Sequence, residues 1–134
     1  MTGNAAASQP GVEQYTADQD TTVGALRAAV HEFVSKRDWY MYHSPKNLAM
    51  SIAIEAAEIM EHFQWLSTDE ATERMADGDQ RAEVADELAD VLIYCLSFAN
   101  ASDIDLSHAI FKKLDRNQRR FPVERVRGRL GDHE

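Results

Sequence analysis

The sequence predicts an all-α, four-helix-bundle-like domain. Apolar residues recur at helical spacing in four long segments, and capping and stop signals separate those segments. No stretch shows the period-two alternation of a half-buried strand, and no repeat of solenoid length is present. A chain of 134 residues suits one domain with one core.

Residues 1–20 are small and polar and are expected to be poorly ordered. The domain is expected over 21–122, with a charged tail over 123–134. From Thr21, the positions Val23, Leu26, Val30, Phe33 and Val34 define a first helix that ends near Lys36. Ser44 is a natural N-cap and Pro45 a first-turn residue for a second helix over about 46–66. "STDEATERMADGDQ" reads as a capped short turn or helix followed by a loop at Gly78. A third long helix follows over about 80–101. Asp105 is placed to cap a fourth, which stops before Pro122.

Composition narrows the function. The net charge of −9 and a pI near 4.9 argue against a polymeric nucleic-acid binder. Eight of the 14 Lys and Arg residues nevertheless lie between Lys112 and Arg129, a block that suits either a polyphosphate contact or a solvated helix face. The single cysteine, Cys95, has apolar neighbours and reads as a small buried hydrophobe. No segment has the uninterrupted apolar length of a membrane span, and the first residues do not resemble a secretory signal. A cytoplasmic protein with no membrane partner is expected.

The informative stretch is "LAMSIAIEAAEIMEHFQWL", an apolar helix that carries Glu55 and Glu58. An unpaired buried carboxylate costs several kcal/mol, so such groups are usually paired, metal-bound or neutral. At 100° per residue, Ser51, Glu55, Glu58 and His62 share one narrow sector of helix two. Glu83, Glu87, Asp90 and Tyr94 share a sector of helix three. The pairs Glu55/Glu58 and Glu87/Asp90 each place like charges one turn apart, which is unfavourable unless a cation lies between them. On successive antiparallel helices the two pairs can face each other. Four converging carboxylates without histidine favour Mg²⁺, or Mn²⁺, over iron or zinc. An all-oxygen Mg²⁺ site with open positions usually meets a phosphate.

"EAAE" followed downstream by "ELAD" resembles the E-x-x-E…E-x-x-D signature of the all-α nucleoside triphosphate pyrophosphohydrolases, the MazG-like superfamily. "RDWYMYHSPKNLAMSIAIEAAEIMEHFQW", "DELADVLIYCL" and "KKLDRNQRRFP" extend the likeness to its dCTP pyrophosphatase branch, over roughly residues 23 to 122. The resemblance implies Mg²⁺-dependent hydrolysis of a dNTP, dCTP or a modified dCTP, to dNMP and pyrophosphate, as nucleotide-pool sanitation. It implies Glu55, Glu58, Glu87 and Asp90 as metal ligands, with Glu55 and Glu58 catalytic. Trp39, His43 and Trp65 match positions lining the base pocket, and Tyr94, Lys113 and Asn117 match positions near sugar, phosphates or base. Arg120 belongs to the basic cluster suited to the leaving pyrophosphate. Some relatives carry a further Glu before the first motif Glu. Ile54 stands there in this chain, so the base role passes to Glu55, Glu58 or a metal-bound hydroxide.

The resemblance also implies a homodimer or homotetramer, and a core drawn from about 100 ordered residues makes self-association physically reasonable. The same fold acting on dUTP, another NTP or phosphoribosyl-ATP is the nearest alternative. A helical interaction module, with acidic stripes as a dimer seam or a basic partner's site, is the alternative from another class.

Overall fold

The computed structural model describes residues 15–129; most of the expected N-terminal segment and the last five residues of the tail lie outside the described residues. Among the described residues the regular structure is entirely helical: α1 Val23–Lys36, α2 Pro45–Glu61, α3 Thr68–Ala76, α4 Gly78–Ser102, α5 Leu106–Arg120 and α6 Val123–Val126. Single 3₁₀ turns at Asp18–Asp20 and Tyr40–Tyr42 precede α1 and α2.

Local chemistry starts each helix. The side chains of Thr22, Ser44, Asp77 and Asp105 accept hydrogen bonds from the first-turn N–H groups of α1, α2, α4 and α5. Ser67 and Glu70 form a reciprocal capping box at the start of α3. Gly78 is therefore the first residue of α4, not the loop that the sequence predicts, because Asp77 caps a new helix directly after α3.

Helix α2 also ends earlier than expected, at Glu61 instead of 66. The Arg74 Nη1 of α3 donates to the His62 carbonyl at 2.7 Å, tying the end of α2 to α3. His62–Leu66 then closes through tighter turns, such as Phe63 N–H to Met60 O and Leu66 N–H to Phe63 O. Trp65 consequently leaves the helix and is exposed.

Helix α4 spans 25 residues, about 37 Å at 1.5 Å per residue, and forms the spine of the fold. Helix α2 packs along it most extensively, α1 and α3 less so. An Arg27 clamp fastens α1 to the end of α4, donating through Nε to Asn100 Oδ1 and through Nη1 and Nη2 to the carbonyls of Ile104 and Ala99. Asn100 Nδ2 returns a bond to the Arg27 carbonyl. The chain leaves α4 through Asp103 at φ 52°, and Ile104 N–H closes onto Ala99 O. This is a left-handed helix end made without glycine.

The buried apolar core comprises Val30, Val34, Leu48, Val84 and Ala99. Many larger apolar side chains stay exposed, among them Leu26, Ile54, Leu92, Ile110 and Phe111. Helix α5 makes no extensive contact with any other helix among the described residues, and Ile110, Phe111 and Leu114 on it are all exposed. The short helix Val123–Val126 occupies the beginning of the segment for which the sequence predicts a loose tail.

Candidate metal and nucleotide site

The interface of α2 with α4 brings the two acidic motifs together. Carboxylate oxygens of Glu55, Glu58 and Glu87 lie within 4.8 Å of one another. Asp90, also expected as a ligand, falls outside this close group. Its charge still acts on Glu55 and Glu87, and it lines the adjoining cavity.

The electrostatics show the strain of this arrangement. Burial, then the charges of Glu58 and Asp90, push the Glu55 carboxyl above its ordinary range. Glu87 is raised as well, first through a hydrogen bond with Glu58 and then through burial and the surrounding acids. Three acids whose ionised forms repel, held on two helices with no basic ion-pair partner among the described residues, fit a hard divalent cation bound through oxygen. When bound, such a cation would neutralise anionic oxygens and lower the pKa of a coordinated water.

Beside the acids is a cavity of about 310 Å³, lined by Glu55, Asp90, Trp39, His43 and Tyr94 together with Phe33, Val34, Ile93 and Ser97. One wall is the turn between α1 and α2. Trp39 meets Phe33 edge-on with ring centroids 5.9 Å apart, and the Arg37 guanidinium lies 3.7 Å from the Phe33 ring centroid. Tyr40 hydrogen-bonds His31 of α1, which holds the 3₁₀ turn against that helix. The opposite wall is α4, where Tyr94 lies 6.4 Å from the His43 ring centroid and Ser97 hydrogen-bonds His43 Nδ1 at 3.0 Å. Flat apolar faces with a few polar groups are what a nucleobase needs.

Sequence reading missed Phe33, Val34, Ile93 and Ser97 as cavity residues. Three are ordinary apolar side chains without a distinguishing signal. Ser97 had one, as a hydroxyl inside "LIYCLSFA". Four other expected substrate residues do not join the cavity within this chain. Trp65 is 86% exposed in the turns after α2, and Lys113, Asn117 and Arg120 lie on the outlying α5. The Arg120 guanidinium instead approaches the neighbouring Phe121 ring, at 5.1 Å from its centroid.

An all-helical fold that builds an acidic cluster beside an aromatic cavity places the chain in a recognisable class. Residues 50–129 match the MazG-like family, and the chain belongs to that family. It is 37% identical over 109 residues to dCTP pyrophosphatase 1 of Rattus norvegicus, covering 81% of this chain and 64% of that protein. It is 33% identical over 126 residues to dCTP pyrophosphatase 1 of Homo sapiens, covering 94% of this chain and 73% of that protein. The chain thus spans just under two thirds of the length of the rat relative. A pyrophosphatase from Archaeoglobus fulgidus has a similar solved structure, with a TM-score of 0.69 and 37% sequence identity over 84% of this chain and 99% of that one. No described helix is long and apolar enough to cross a membrane.

Proposed function

We propose that the protein is a nucleoside triphosphate pyrophosphohydrolase that uses Mg²⁺, or Mn²⁺, to convert a dNTP to dNMP and pyrophosphate. The preferred substrate in this reading is dCTP or a modified dCTP. The observation that carries the reading is the convergence of Glu55, Glu58 and Glu87 beside a cavity walled by Trp39, His43 and Tyr94. The names of the relatives, dCTP pyrophosphatase 1 and a pyrophosphatase, support both the reaction and the base.

The residues divide the work. Glu55, Glu58 and Glu87 would hold the cation, and Asp90 would add negative charge from the adjoining cavity wall. Trp39 and Phe33 offer faces for the base, while His43 and Tyr94 provide polar groups around it. Ile54 carries no acid next to Glu55, so the proton of the attacking water falls to Glu55 or Glu58. Positioning and charge neutralisation supply most of the rate enhancement in phosphoryl chemistry of this kind.

Lys113, Asn117 and Arg120 complete the reading only through self-association. These three residues of α5 do not line their own chain's cavity, and Ile110, Phe111 and Leu114 on the same helix are exposed. In a homodimer or homotetramer, α5 would bring its cations to the phosphates of a second copy's site.

Incubation of the pure protein with Mg²⁺ and a panel of dNTPs and NTPs, with pyrophosphate and orthophosphate measured separately, tests the reaction. Pyrophosphate in equal amount to the nucleoside monophosphate is expected, fastest with dCTP. Orthophosphate without pyrophosphate would overturn the reading. A purely interacting helical module would show no specific Mg²⁺ uptake in calorimetry.

A further inference from the structure

Ser97 lies on α4 with only 4% of its surface exposed, in an otherwise apolar run. Alanine would suit such a helical position better, since serine has the lower helix propensity. A buried hydroxyl needs an acceptor for its proton. Among the described residues its hydrogen-bond partner is His43 Nδ1, at 3.0 Å. An imidazole nitrogen accepts only when it carries no proton. With the Ser97 Oγ–H as donor to Nδ1, the neutral ring carries its proton on Nε2.

A second restraint acts on the same ring. Tyr94, one turn earlier on α4, lies against His43 with centroids 6.4 Å apart and planes inclined by 37°. The ring is thus held from α4 on a turn that α4 does not itself carry. Nε2 has no hydrogen-bond partner among the described residues, and His43 lines the cavity with Trp39 and Glu55.

The geometry points to Ser97 as a positioning residue that sets base specificity. It holds His43 as the Nε2–H tautomer, so that the cavity wall offers a fixed donor to a hydrogen-bond acceptor on the nucleobase edge, such as a pyrimidine carbonyl oxygen. This inference rests on the pyrophosphohydrolase reading for the identity of the ligand, but not for the Ser97–His43 relationship itself. Without Ser97 the ring can exchange tautomers or turn over. The cavity then presents a donor part of the time and an acceptor the rest, and selection between base edges weakens.

The test uses the full chain labelled with ¹⁵N at histidine, in mildly alkaline buffer. Two-bond proton–nitrogen correlation is expected to show His43 as Nε2–H in the unaltered protein, a mixture of tautomers in Ser97→Ala, and Nε2–H again in Ser97→Thr. With dCTP and Mg²⁺, Ser97→Ala should raise KM about three- to tenfold, the equivalent of one ordinary hydrogen bond, and leave kcat within about twofold. Ser97→Thr should return KM toward that of the unaltered protein. An Nδ1–H ring in the unaltered protein, an unchanged tautomer in Ser97→Ala, or a fall in kcat at constant KM would overturn the inference. If no nucleotide is hydrolysed, the specificity role fails with the proposed function, while the tautomer measurement still decides whether Ser97 positions His43.

Discussion

Glu58 of α2 and Glu87 of α4 bring carboxylate oxygens within 4.8 Å of each other, with the whole of α3 between them in sequence. Two acids so close weaken the fold unless a cation or proton bridges them, so function and stability oppose each other here. Glu58→Gln should abolish Mg²⁺ uptake in calorimetry and lower turnover at least about 100-fold. The same change should raise the melting temperature of the metal-free protein by about 1–4 °C, through relief of like-charge repulsion. Unaltered Mg²⁺ binding would remove Glu58 from the site.

The pH dependence of the metal-free protein follows from Glu55 and Glu87. Both have raised pKa values in the fold, whereas the unfolded chain keeps the ordinary 4.5. Between that value and the raised ones, the folded state binds more protons, so the contribution of these acids to stability declines as pH rises. Below 4.5 both states are protonated and the contribution levels off. Melting curves without metal should therefore show Glu87→Gln gaining more over the unaltered protein at pH 7 than at pH 4.5. Saturating Mg²⁺ should stabilise the unaltered protein increasingly as pH rises, because the ion binds the deprotonated carboxylates. A Glu87→Gln gain that is independent of pH would contradict this account.

Much of this site was legible in the sequence because helical phase is a local property. Glu55 and Glu58 on one face, and Glu87 on another helix, follow from spacing alone, as do the caps at Ser44 and Asp105. What escaped was decided by tertiary contact. The end of α2 at Glu61 depends on Arg74 reaching the His62 carbonyl, and no residue within the segment announces it. The position of α5 escaped for a related reason. An amphipathic helix has the same pattern whether its apolar face meets its own chain or another, so the separation of Lys113, Asn117 and Arg120 from the cavity could not be read. The hydroxyl of Ser97 in an apolar run was a visible signal, but its partner, His43, lies 54 residues away and only the fold brings the two together.

Trp39 is held on the cavity wall by Phe33 and by the turn that Tyr40 ties to α1. Trp39 supplies no carboxylate to the close acidic group, so its removal should affect binding more than chemistry. Trp39→Ala should raise KM for dCTP about 5- to 100-fold, the usual worth of one base–aromatic stack, with kcat reduced much less. Trp39→Phe should recover most of the loss. A fall in kcat alone, at unchanged KM, would place Trp39 outside base binding.

Helix α5 gives the prediction that reaches furthest, because it couples assembly to activity. Phe111 is 72% exposed and Ile110 52%, although both lie on an ordered helix whose own chain offers it little to pack against. Large apolar side chains grouped in this way on a small domain are what self-association through α5 would bury. Light scattering after size exclusion should find at least a dimer. Phe111→Asp should shift the protein toward monomer while far-UV circular dichroism stays helical, since the substitution leaves the buried core of Val30, Val34, Leu48, Val84 and Ala99 untouched. The monomer should keep Mg²⁺ uptake at Glu55, Glu58 and Glu87, which one chain assembles alone, yet lose most pyrophosphate release. Mixing Phe111→Asp chains with Glu58→Gln chains would then separate the two contributions. Partial recovery of activity in the mixture is expected if α5 of one copy serves the acids of another. A fully active Phe111→Asp monomer would show that Lys113, Asn117 and Arg120 of a second copy are not needed, and that one chain completes the site alone.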